Sequence, residues 1–251
     1  MRDEKRIKAV LFDFDDTLIT WENINISSWR EFNRPKFDSI HSYLSGEGHE
    51  LPDPDEFALI MHTLNYEAWE KARQTWEGVR LLSVLCAGLE RCGINPAEVD
   101  KDALLEAYNW QHIPGVVPFP DTHDVLGVLK SQGYKIGLVT NSYQPMWMRD
   151  IELNKFELMQ YIDARITSGD TGFMKPHPAI YWRMLGLLNL TPEEAVFVGD
   201  RPANDIQGAN NVGMLSVLMS PPYLDHPLDG AQPDYTISRL SELLPILEAL
   251  D

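Results

Sequence analysis

The stretch AVLFDFDDTLIT, residues 9–20, opens with four apolar residues, Ala9 to Phe12, and then places aspartates at positions 13, 15 and 16. A short, continuous apolar run bounded by polar residues reads as a strand buried on both faces, as parallel sheets use. Carboxylates crowded at the end of such a strand repel one another, and their burial is costly unless something positive shares the site.

Working outward, the same pattern recurs. YKIGLVTN (134–141), AVFVGD (195–200) and MLSVLM (214–219) are further buried-strand runs, and DARITSG (163–169) and DYTIS (234–238) are weaker ones. Helical patterns separate them. PDTHDVLGVLKSQG offers Asp121 as an N-cap and Gly133 as a stop, and KPHPAIYWRMLGLLNL is apolar at helical spacing. TPEE (191–194) is a capping box with Pro192 at the first helical position, and NDIQGANNVG closes at Gly213. SRLSELLPILEAL is a last helix that Pro245 is expected to kink. Strand–helix alternation of this kind predicts an α/β fold, a Rossmann-like parallel sheet core with helices on both faces.

Residues 21–115 differ. DPDEFALIMHTLNYEAWEKARQTW, VRLLSVLCAGLERCG and KDALLEAYNWQH read as amphipathic helices, with Trp69 and Trp76 on one face of the first. SYLSGEGHELPDPD (42–55) reads as a loop, and the Pro- and Gly-rich HIPGVVPFPD (112–121) marks the return to the core. The expected organisation is therefore a core of 1–20 and 116–251 with an all-helical insertion, 21–115.

The 251 residues carry a formal net charge of −17, which argues against nucleic acid and anionic membrane surfaces as partners. A small anionic substrate would need a local positive site. No run approaches the ~20 apolar residues of a membrane span. The apolar stretch near the N-terminus is too short for a signal peptide, so a cytoplasmic location is expected. Cys86 and Cys92 suggest neither a disulfide framework nor a zinc site.

Ligands of doubly wound sheets bind outside the carboxyl ends of the strands. There Asp13, Asp15 and Asp200 are expected to converge. Mg²⁺, a hard cation that takes oxygen ligands and shares itself with phosphate, would resolve their repulsion. Thr140 contributes a hydroxyl and Lys175 a positive charge, and donors plus cation plus Mg²⁺ make a phosphate site. One carboxylate can then act as nucleophile and a second as acid and base.

This set resembles the haloacid dehalogenase superfamily of phosphohydrolases. DFDDT matches its first motif, GLVTN its second, Lys175 before Pro176 its third and GDRPAND its fourth, in order and at strand ends or before a helix. The resemblance implies that Asp13 is the nucleophile and a metal ligand. It implies that Asp15 is the acid/base, with its backbone carbonyl on the metal. Thr140 and Lys175, with Asn141 beside them, are implied phosphate binders. Asp200 is an implied direct metal ligand and Asp205 an outer one. The insertion is implied to be a helical cap that closes over the site and excludes water. Asp15 favours phosphate transfer over dehalogenation, and Thr17 tilts the reading towards hydrolysis. The expected activity is thus Mg²⁺-dependent hydrolysis of a small phosphorylated metabolite. A phosphomutase and a non-catalytic phosphate- or partner-binding module are the alternatives.

Several residues have plainer readings. Asp16 is expected to be a turn residue, Asp205 either a helix cap or metal support, and Arg201 either a substrate contact or an ion-pair partner. His177 is expected only to begin a helix. Trp21 is placed between core and insertion, where it could line the site. Arg30, Arg34, Lys36, Lys71 and Arg73 are the cations of the insertion that could reach a substrate.

Overall fold

The computed structural model describes residues 6–26 and 28–250. Its centre is β1 (Ala9–Phe12), every residue of which is buried. Successive side chains of a strand point to opposite faces. Val10 and Phe12 accordingly enter one hydrophobic cluster, while Ala9 and Leu11 enter another. The chain then forms the two-residue β2 (Ile19–Thr20) and leaves the sheet.

The insertion holds α1 (Trp29–Gly46), α2 (Pro54–Thr75), α3 (Leu81–Arg91) and α4 (Lys101–Ala107). α1 takes the first five residues of the segment expected to be a loop, 42–46. Its buried stripe, Asn33, Phe37, Ile40 and Leu44, runs at spacings of four, three and four, which overrides the interior Pro35. Packing outweighs propensity there. Trp76 does not share a helix face with Trp69. It ends α2 in a left-handed conformation, φ 58°, so its side chain leaves the helical register.

The chain returns through β3 (Val117–Pro118), which pairs antiparallel with β2, Ile19 opposite Pro118 and Thr20 opposite Val117. There follow α5 (Thr122–Ser131), β4 (Lys135–Thr140), α6 (Met146–Lys155), β5 (Ala164–Thr167) and the short α7 (Ser168–Thr171). α8 (Pro178–Leu188), β6 (Ala195–Gly199), α9 (Gln207–Val212), β7 (Leu215–Met219), β8 (Tyr235–Ile237) and α10 (Leu243–Leu250) complete the core. The six-stranded sheet runs β5-β4-β1-β6-β7-β8 and all its pairings are parallel.

Helices cover both faces. Val125, Leu126 and Leu129 of α5 and Leu243 and Leu247 of α10 pack with Val10 and Phe12. Ile180, Met184 and Leu185 of α8 and Ala209 of α9 pack with Ala9 and Leu11. Two expectations about the helices change. Asp121 sits at the N-cap position of α5, but its carboxylate accepts the Ser241 N–H at 2.8 Å instead and does not cap α5. Pro245 falls in the first turn of α10, where a missing N–H leaves no intrahelical bond unmade.

The insertion also touches the core midway along its length. Met174 N–H donates to Trp76 O (3.0 Å), Gly78 N–H to Gly172 O (2.9 Å) and Leu81 N–H to Tyr143 O (2.8 Å). Glu77 and Phe173 form an isolated antiparallel bridge. Position 78 must be glycine, because a Cβ there would lie 2.1 Å from Ser168 O.

Candidate active site

β1 lies between β4 and β6, so the residues after these three strands face one another at one end of the sheet. Asp13 follows β1 directly. Its N–H donates to Val198 O at 2.9 Å, and its Oδ1 accepts the Phe14 N–H at 2.7 Å. Lys175 is 1% exposed, with Nζ 2.8 Å from Asp13 Oδ1 and 2.7 Å from Asp205 Oδ1. Asn141, just after β4, holds the Lys175 backbone at both ends. Its Oδ1 accepts the Lys175 N–H at 2.8 Å and its Nδ2 donates to Lys175 O at 2.9 Å. The Lys175–Pro176 peptide is cis. Thr140 is buried at the end of β4 and lines the same cavity.

Asp200 and Asp205 follow β6. Carboxylate oxygens of Asp13, Asp200 and Asp205 all lie within 4.8 Å of one another. Asp205 approaches so closely that a Cβ on Gly199 would meet its Cγ at 2.4 Å. Its Oδ2 accepts the Arg201 N–H at 2.9 Å, four residues back, so it braces the turn as well as facing Lys175. Asp200 Oδ2 lies 3.1 Å from Arg201 Nε and 3.4 Å from His226 Nε2, and Asp200 Oδ1 accepts Thr17 Oγ1 at 3.5 Å. Arg201 thus makes the ion pair, and His177 caps α8 by accepting the Ala179 N–H at Nδ1.

Burial dominates the electrostatics. It pushes the Asp13 carboxyl up to about 7, against Lys175, while Asp205 adds to the rise. Burial raises Asp200 and Asp205 too, opposed by His226 and Lys175 respectively. Burial works against the Lys175 ammonium, but Asp13 and Asp205 outweigh it and raise its pKa. Three buried carboxylates around one lysine leave an excess of negative charge and hard oxygen donors, the donor set that suits Mg²⁺.

Asp15 points elsewhere. Its Oδ1 accepts Trp21 Nε1 at 3.0 Å, and both its oxygens accept Arg149 Nη2 at 2.9 Å. Arg149 is buried on α6, with its guanidinium 4.8 Å from the Phe14 ring centre and Nε 3.2 Å from Glu152 Oε2. Trp110 Nε1 donates to that same Glu152 oxygen at 3.1 Å. Burial raises the Glu152 carboxyl to about 7 even with Arg149 beside it. Asp16 is the turn residue expected, at φ 55°, accepting the Trp21 N–H and the Tyr223 hydroxyl, each at 3.0 Å.

These groups open onto a cavity of about 700 Å³. Its other wall is the insertion, chiefly the first turn of α1 and one face of α2. Arg30, Arg73 and Trp21 line it, as the sequence allows. Arg34, Lys36 and Lys71 do not. Arg34 pairs with Asp38 and Asp55, Lys36 lies over the Phe32 ring, and Lys71 pairs with Glu77.

Sequence reasoning missed Arg149 and Glu152, because no helix is predicted over 146–155. Their spacing of three, which puts both on one helix face, was the available signal. It also missed the cavity face of α2, namely His62, Asn65, Tyr66, Trp69 and Arg73. Those positions recur at three- and four-residue steps, so a polar–aromatic stripe was legible beside the apolar one.

Comparison with known proteins gives the family. The family model for haloacid dehalogenase-like hydrolases matches residues 7–213. A pyrophosphatase PpaX of Bacillus mycoides is 34% identical over 249 residues, 98% of this chain and 99% of that protein. A glyceraldehyde 3-phosphate phosphatase of Methanopyrus kandleri is 29% identical over 248 residues, covering 97% and 98%. Among solved structures, a HAD phosphatase from Thermococcus onnurineus superposes with a TM-score of 0.61 at 28% identity, covering 96% of this chain and 98% of that one. A 2-haloacid dehalogenase from Pseudomonas syringae, at 23% identity and a TM-score of 0.63 over 97% and 98% of the two chains, shares the fold. With the four strand-end motifs gathered around one cavity and relatives of this kind along its whole length, the chain belongs to the haloacid dehalogenase-like hydrolases and is a phosphatase of that family.

Proposed function

We propose that the protein is a Mg²⁺-dependent phosphomonoesterase that works through an aspartyl-phosphate on Asp13. It would act on a small phosphorylated metabolite in the cytoplasm, with residues 21–115 serving as a helical cap over a core of 1–20 and 116–251. The observation that carries this reading is the position of Asp13. One oxygen is held by the Phe14 N–H and Lys175 Nζ, at 2.7 and 2.8 Å, and this arrangement leaves the other available to react.

In the first step Asp13 Oδ2 bonds to phosphorus as the ester oxygen leaves with its electron pair. Asp15, protonated, gives its proton to that oxygen, and the alcohol departs. In the second step the Asp15 carboxylate takes a proton from water. The water oxygen bonds to phosphorus, the bond to Asp13 breaks, and inorganic phosphate leaves. Thr140 and Lys175 bind phosphoryl oxygens, and Asn141 fixes where Lys175 stands. Trp21 and Arg149 orient the Asp15 carboxylate. Asp13, Asp200 and Asp205, with the Asp15 carbonyl, would hold Mg²⁺, which supplies positive charge to the phosphoryl oxygens.

Hydrolysis of p-nitrophenyl phosphate tests the reading. Turnover with Mg²⁺ is expected to disappear on adding chelator and in Asp13→Asn. Retained turnover in Asp13→Asn would sink the aspartyl-phosphate route. Transfer that needs a bisphosphate activator and releases little phosphate would replace the phosphatase with a mutase.

A further inference from the structure

The cavity is far larger than a phosphate requires. At about 700 Å³ it falls among sites that enclose a drug-sized ligand, roughly 300–1,000 Å³. What lines it away from the carboxylates is aromatic. Trp21 and Trp29 have ring centres 6.5 Å apart, Trp29 and Phe32 lie 5.4 Å apart and edge-on, and Phe32 and Trp110 lie 6.5 Å apart. Trp69 meets Tyr143 edge-on at 6.1 Å, and Tyr66, one turn earlier on α2, is 66% exposed. The buried residues of α2, Phe57, Ala58, Met61 and Ala72, lie along the neighbouring stripe; Trp69 packs at its margin, and Tyr66 packs against no core residue among those described.

Two polar atoms on the same α2 face have no partner among the described residues. Asn65 Oδ1 and His62 Nε2 are both buried without a hydrogen bond. The His62 ring already bonds the Arg30 backbone, and burial lowers its pKa, so the ring is neutral and its free nitrogen accepts. Both orphans therefore call for a donor. An alkyl chain or a bare phosphoanhydride would leave them desolvated with nothing returned. A planar ring with N–H groups on its edge satisfies them and stacks on the aromatic wall, as bases do on such side chains.

Resting on the phosphatase reading above, we infer that the substrate is a phosphomonoester whose alcohol carries a planar heteroaromatic ring with hydrogen-bond donors on its edge, the class of the nucleoside monophosphates. The ring occupies the slot between the first turn of α1 and the His62–Arg73 face of α2. Asn65 and His62 read its edge.

The test compares kcat/KM for phosphate release from adenosine monophosphate, 1-naphthyl phosphate and glycerol 3-phosphate. Adenosine monophosphate and the naphthyl ester are expected to exceed glycerol phosphate by at least about 30-fold, the size of one or two stacking contacts. Trp69→Leu should reduce that ratio at least tenfold. Tyr66→Ala, at a position too exposed to threaten the fold, should reduce it severalfold. Asn65→Leu should lower adenosine monophosphate relative to the naphthyl ester. The inference falls if glycerol phosphate is used as well as adenosine monophosphate, or if neither Trp69→Leu nor Tyr66→Ala moves the ratio; the phosphatase reading then stands. If no ester is hydrolysed, the phosphatase reading falls instead, and the slot is read by titrating the wild type with adenosine monophosphate in a calorimeter. Binding weakened tenfold by Trp69→Leu upholds the slot, and absence of binding overturns it.

Discussion

At the strand ends every charged group has a partner at a defined distance: Lys175 with Asp13 and Asp205 at 2.8 and 2.7 Å, Arg149 with Asp15 at 2.9 Å. On the facing wall, α2 offers rings and two buried acceptor atoms without a hydrogen-bond partner among the described residues. The first region is complete without a ligand's organic part, and the second is completed by it. Preorganised charge serves a reaction whose charge distribution is the same for every phosphate ester. An unsatisfied wall serves discrimination, since a ligand lacking the right donors leaves buried groups unpaired.

The sharpest way to break this contrast is Asp13→Asn. It should lower phosphate release from any ester by at least about 10⁴-fold, a transition-state loss of roughly 5 kcal/mol. Its far-ultraviolet circular dichroism should stay unchanged. A variant that is only tenfold slower would put the chemistry elsewhere.

Arg149→Met comes next. It strands the fully buried Glu152 and frees Asp15, and breaking a buried pair costs about 3–5 kcal/mol of stability. Arg149→Met with Glu152→Leu should recover most of that in urea denaturation, yet stay about 10²-fold slow, because Asp15 has lost its orienting partner. Recovery of rate as well as stability would make Arg149 purely structural.

A pH series in urea probes the buried carboxyls at and beside the strand ends. Asp13 and Glu152, ordinarily near 3.8 and 4.5, are each raised to about 7 by burial, so the folded chain binds these protons more tightly than the unfolded one. The stability they contribute is complete below the unfolded values and is lost as pH rises through about 7. The metal-free protein should therefore lose on the order of 5 kcal/mol between pH 5 and 7.5. Saturating Mg²⁺ should flatten the decline, because the metal binds the ionised carboxylates. A profile that rises over that range without metal would contradict the charge balance described.

Asn141→Ala is the mildest probe. It removes both hydrogen bonds to the Lys175 backbone and should cost about 1–3 kcal/mol in stability, with a smaller loss of rate as Lys175 shifts. An unchanged melting temperature would show that the Lys175 loop holds itself.

The same contrast explains what could be read in advance. DFDDT, GLVTN and GDRPAND lie within a few residues of strand ends, where the parallel sheet alone brings them together, so Asp13, Thr140 and Asp200 were legible from local spacing; Lys175 was legible as a cation just before a helix, and Asn141 and Asp205 came with the family resemblance. Asp15 was legible as a residue but not in its partners. Arg149 is 134 residues away on a helix with no sequence signature, and only the tertiary fold aims it. α1 was overlooked because Pro35 and a polar composition hide a stripe that only packing reveals. The rings of α2 were visible as letters. Which of its faces would be left without a neighbour depends on where α1 and α3 settle, and that is a property of the assembled insertion.

The contacts at Trp76, Gly78 and Leu81 bear on how the cavity is entered. An insertion joined to its core only through Ile19–Thr20 and Val117–Pro118 could swing as a door on one hinge. This one has a third footing, next to Lys175 itself, made of three main-chain hydrogen bonds and a glycine pressed against Ser168 O. Lifting it would break bonds worth about 1 kcal/mol each and tug on the segment that carries Lys175. Mechanically the insertion is an arch, loaded at both ends and keyed in the middle. Traffic passes beneath an arch without raising it, and a swing of this insertion would have to break that keying as well as flex β2 and β3.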